Sequence, residues 1–98
     1  MNRAVGIQFN SNQKDGVVGV LKYITGDVKD TAFQLIRYGN LALEHRYFVV
    51  INHCEIPLDS YVSYNDLERI DKAYMKQLNM NKNGFMALQL QNWDSRAA

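Results

Sequence analysis

From residue 3 to residue 9 the chain alternates, with Val5, Ile7 and Phe9 on one side and Ala4, Gly6 and Gln8 on the other. A period of two predicts a strand with one apolar face. Polar residues 10–15 turn the chain, and the period then changes. Val17, Val20, Leu21 and Ile24 fall at i, i+3, i+4 and i+7, the stripe of an amphipathic helix. Ser11 or Asn12 stands where an N-cap belongs, and Gly26 where a terminating glycine belongs. Gly16, Gly19 and four β-branched residues oppose a helix, but the stripe favours one over residues 12–24.

Residues 29–38 read as a strand that runs into Gly39-Asn40, a dipeptide suited to a tight hairpin. A competing helix would use Asp27 as its cap and Gly39 as its stop. Residues 41–54 read as one long strand whose centre, Tyr47 to Ile51, is apolar on both faces, as in a central strand covered on both sides. Pro57 closes it. Ser63 then opens a helix over 63–79, with Asp66 three residues on and Leu67, Ile70, Tyr74 and Leu78 in one stripe. After the turn cluster 79–84, residues 85–92 form a last strand, with Met86, Leu88 and Leu90 opposite Ala87, Gln89 and Gln91.

The expected order is βαββαβ in one α+β domain over residues 1–98. That is the ferredoxin-like arrangement: a four-stranded, mainly antiparallel sheet with two helices on one face, and strands 3–9 and 41–54 parallel at its centre.

Composition narrows the functional classes. Eleven Lys and Arg against ten Asp and Glu leave a net charge of +1, so no global field draws the chain to a polyanion or an anionic membrane. The single cysteine, Cys54, has no internal disulfide partner, and the first ten residues lack the apolar stretch of a secretory signal; the expected setting is cytoplasmic. The longest apolar run, residues 47–51, is far short of the ~20 residues of a membrane span.

Catalytic chemistry finds few actors. On one strand, His53 and Cys54 point to opposite faces, so His53 does not activate the thiol. His45 and His53 would lie ~26 Å apart at ~3.3 Å per residue, too far for one metal. Metal-ligand spacings and phosphate-loop patterns are absent. No cofactor is expected, and the chain reads as non-enzymatic.

The face of the sheet away from the helices is the more informative surface. It would carry small and amide side chains plus one row of the 41–54 strand, either Tyr47/Val49/Ile51 or Phe48/Val50. Arg37, Tyr38, Arg46, Tyr47, Phe48, Val49, Gln89 and Gln91 are the expected contact residues. Aromatic and arginine side chains around an apolar, charge-poor centre suit a protein interface. The expected function is therefore a small accessory or regulatory role through protein binding: a homodimer, an adaptor or an inhibitor, of the kind a virus or mobile element encodes. The alternative is a nucleic-acid-binding sheet using Tyr47, Phe48, Arg37 and Arg46, with bases stacked on the aromatics. Near-neutral charge and the lack of an RNP1 pattern weigh against it.

Overall fold

The computed structural model describes residues 3–23 and 32–90. Six strands, Arg3–Phe9 (β1), Gly16–Tyr23 (β2), Ala32–Arg37 (β3), Tyr47–Ile51 (β4), Cys54–Pro57 (β5) and Gly84–Leu90 (β6), form one sheet in the order β5-β4-β3-β2-β1-β6. Every pairing is antiparallel. Among these residues one α-helix, Tyr64–Asn79 (α1), covers one face.

The fold is α+β but not ferredoxin-like. Residues 16–23, expected within a helix, form a strand, and β1 and β4 lie three places apart instead of pairing in parallel. The cause is a bulge. The β2–β3 register shifts between Val17 and Gly19, leaving Val18 as an extra residue turned into the core. The bulge interrupts strict alternation, so the inward residues Val18 and Leu21 are three apart, as on a helix. The β-branched residues and glycines that disfavour a helix were the truer signal. Ile24 lies outside the described residues.

The expected long strand 41–54 is broken in two places. A short 3₁₀ turn occupies Leu43–His45, and β4 begins only at Tyr47. At the other end, Asn52 and His53 both have positive φ, 51° and 64°, as a two-residue type I′ turn requires. That turn joins β4 to β5, with Ile51 opposite Cys54. Pro57 therefore ends β5 and is not the stop of a longer strand. The β3–β4 connection is also longer than a Gly39-Asn40 hairpin: Tyr38 N–H donates to the Arg46 carbonyl at 2.8 Å, across the 3₁₀ turn.

Other expectations hold. Ser63 caps α1 by accepting the Asp66 N–H at 3.2 Å. Leu67, Ile70 and Tyr74 are its buried stripe. β1 and β6 have the expected apolar rows: Val5, Ile7 and Phe9 face the core, joined by Leu88 and the half-buried Met86. Residues 29–31 and 91–92 of the expected strands lie outside the described residues. Leu21, Phe33, Leu35, Tyr47, Val49 and Ile51 complete the sheet side of the core.

Candidate protein-binding face

The sheet has two unlike sides, and a polar cluster at its inner side fixes which is which. Arg37, at the end of β3, points toward α1 with its side chain about 10% exposed. Its Nε donates to the Tyr47 hydroxyl at 3.3 Å, and its Nη1 to the Lys14 carbonyl and Asp15 Oδ1 at 3.0 and 3.1 Å. Its Nη2 lies 3.7 Å from Asp71 Oδ1 on the helix. The Tyr47 hydroxyl donates to that same oxygen at 2.7 Å, and Arg46 Nη1 donates to Asp71 Oδ2 at 3.0 Å. Beneath lies the Tyr74 ring, 5.2 Å from the guanidinium carbon; its hydroxyl donates to the Gln13 carbonyl. Asp15 also accepts the Gly39 N–H at 2.8 Å, which ties the β1–β2 loop to the β3–β4 loop.

These bonds account for the charge of both arginines on the helix side. Burial alone would lower the pKa of Arg37, but the bond to Tyr47 and the attraction of Tyr47, Asp71 and Asp15 outweigh it and leave the guanidinium above its ordinary value. Burial, then the bond to the Asp71 carboxylate, pushes the Tyr47 phenol well above its ordinary value of 10.0. The sign for stability follows. With the pKa raised in the folded state, the contribution is fully present below pH 10.0 and is lost as pH rises beyond it. Urea unfolding between pH 8 and 11 is expected to show stability falling above pH 10, by up to ~1.4 kcal/mol per pH unit for this one proton. Tyr47→Phe should make that fall shallower, and an unchanged slope would disprove the assignment.

On the opposite side, the cross-strand register sets out an apolar row: Val17, Ile36, Phe48 and Pro57 are successive partners across β2, β3, β4 and β5. A second row runs Phe85, Gln8, Val20 and Gln34 across β6, β1, β2 and β3. Val50, beside Phe48, pairs with Glu55. Ile36 at the centre is only 9% exposed, shielded by its neighbours, while Phe85 near the rim is 62% exposed. Among the described strand residues, Lys22 and Glu55 are the charged side chains on this side. Tyr38 stands at the margin: its ring meets Phe48 edge-on at 5.5 Å, and its hydroxyl donates to Glu55 Oε1 at 2.7 Å. That bond, chiefly, raises the Tyr38 phenol above its ordinary value. No described helix or strand packs over this face.

The eight expected contact residues thus divide. Tyr38, Phe48 and Gln89 are on the outer side. Arg37, Tyr47 and Val49 are buried against the helix, and half-buried Arg46 is bound to Asp71 and, through Nε, to the Leu41 carbonyl at 3.2 Å. Gln91 lies outside the described residues. Of the two possible rows on β4, the structure turns Phe48 and Val50 outward. Sequence reasoning missed Val17, Val20 and Ile36, because it assigned the first two to a helix and gave the third no face. Cys54 is exposed beside the hairpin turn that carries His53, and His45 is exposed in the 3₁₀ turn. Among the described residues no three His, Cys, Asp or Glu side chains group as metal ligands, and no helix is long and apolar enough to cross a membrane.

Comparison with known proteins adds no guide to function: the chain matches no protein-family model, no curated protein and no solved structure.

Proposed function

We propose that this chain is a small, non-enzymatic accessory protein, an adaptor or inhibitor, that acts by docking its outer sheet face on a larger protein, in a reducing compartment such as the cytoplasm. The observation that carries this reading is the row Val17, Ile36, Phe48 and Pro57, with Val20, Val50 and Phe85 beside it. A contiguous apolar surface with charge held to its margins has the composition of an interface core. Tyr38 supplies a rim aromatic of the kind that anchors such contacts.

The nucleic-acid alternative draws less support. Backbone affinity needs free cations, and Arg37 and Arg46 are both engaged with Asp71 on the opposite side of the sheet. Tyr47, named there as a stacking platform, is buried.

The test is parallel affinity capture with wild type and the outer-face variant Val50→Arg. Because Val50 is half-buried and points away from the core, the variant should fold, which circular dichroism verifies. A protein retained by wild type and lost from the variant is expected. Identical capture profiles for the two would defeat the reading.

A further inference from the structure

The two edges of the sheet are guarded very differently. β5 is four residues long and carries Glu55 and Pro57, and short length, charge and proline are the usual protections against stray strand pairing. β6, at the other edge, is seven residues long and has no charge, no proline and no register shift against β1. Among the described residues, no strand lies beyond it.

The direction of its free backbone groups follows from one bond. Asn10 N–H donates to the Val18 carbonyl at 2.7 Å, so even-numbered residues at this end of β1 direct their backbone groups toward β2 and odd-numbered ones toward β6. Val5 and Ile7 accordingly bond with Leu88 and Met86. The N–H and C=O groups of Phe85, Ala87 and Gln89 then point out of the sheet, three donors and three acceptors in a row.

We infer that β6 is a self-association edge, on which a second copy of this chain adds its own β6 antiparallel, about a two-fold axis at Ala87. In that register Ala87 of one copy faces Ala87 of the other, and Phe85 faces Gln89 twice. All six outward groups of each strand find partners, giving six main-chain hydrogen bonds. Self-pairing brings no like charges together, since neither strand carries any. An axis normal to the sheet keeps both outer faces on one side of a continuous twelve-stranded sheet.

Pairing through β6 also doubles the area of the outer face. With ~4.8 Å between strands and ~3.4 Å per residue, one outer face projects roughly 500 Å². A stable protein interface takes about 800 Å² from each partner, and two faces joined through β6 exceed that. The dimer stands on the edge alone; only its use as a double docking surface rests on the function proposed above.

Sedimentation equilibrium of the whole chain tests it. Wild type should approach twice 11.3 kDa at micromolar concentration. Ala87→Pro removes an N–H that no bond among the described residues uses, and should weaken association at least tenfold while the far-ultraviolet spectrum stays native. Ala87→Lys and Ala87→Glu place like charges on the axis; each alone should be monomeric, and an equimolar mixture should recover the dimer even if the proline variant fails to fold. A wild type that stays monomeric to near-millimolar concentration overturns the inference and leaves the docking face untouched. A dimer that survives both charged variants but is lost on Val50→Arg also overturns it, by assigning association to the outer face. A monomeric wild type that binds a heterologous extended peptide on β6 overturns it in favour of a peptide occupant.

Discussion

Replacing Asp71 with alanine is expected to cost the fold about 3 kcal/mol, because removing one partner of a buried ionic cluster leaves the rest uncompensated. Two donors, the Tyr47 hydroxyl and Arg46 Nη1, lose their acceptor together, and Arg37 Nη2 loses its ion pair at 3.7 Å. The Arg37 side chain is about 10% exposed, so water does not readily replace the carboxylate. Asp15 remains on Nη1, but its own side chain is 55% exposed and holds a loop rather than the helix. Asp71→Asn keeps an oxygen for Tyr47 and should lose about half as much. Urea denaturation at pH 7 measures both. A loss under 1 kcal/mol for the alanine variant would mean that α1 is held by its apolar stripe and not by this cluster.

Gly19→Ala should be comparably damaging, at about 3 kcal/mol, although Gly to Ala within a strand ordinarily stabilises. A Cβ at this position would sit 2.2 Å from the Gln8 carbonyl oxygen and 3.2 Å from Phe9 Cα, both backbone atoms with no rotamer to give way. The β1–β2 ladder would have to separate where Phe9 and Leu35 flank Gly19. Thermal unfolding followed by circular dichroism should show a markedly lower midpoint. An unchanged midpoint would mean that the bulge at Val18 absorbs the extra carbon and that the register there is soft.

What could be read from the residues is what repeats locally. β1, β6 and α1 were legible, down to the inward rows and the Ser63 cap, because alternation, helical stripe and cap all agree within a few residues. β2 was not, since one extra residue at Val18 put its inward side chains at helical spacing. The β4–β5 hairpin was hidden because Asn52-His53 makes a left-handed turn without glycine, inside a stretch that reads as continuous strand. The outer face was half legible: its small and amide residues on β1 and β6 were placed, but the choice between the Phe48/Val50 row and the Tyr47/Val49 row was open. What decides it is Asp71, more than twenty residues further on, which draws Tyr47, Arg37 and Arg46 to the helix side. No local pattern encodes that contact, so arginines that looked available for a ligand are in fact internal ties.

The most direct test of the account is the affinity of a captured, purified partner for wild type, Val50→Arg and Asp71→Asn, measured by titration calorimetry. A charge forced into a desolvated interface costs at least about 2 kcal/mol, near thirtyfold in affinity. Val50→Arg should show a loss of that order with its fold intact, while Asp71→Asn, altered only on the helix side, binds within about threefold of wild type. Unchanged affinity for Val50→Arg, or a larger loss for Asp71→Asn, would place the binding surface elsewhere and contradict the docking role of the outer face.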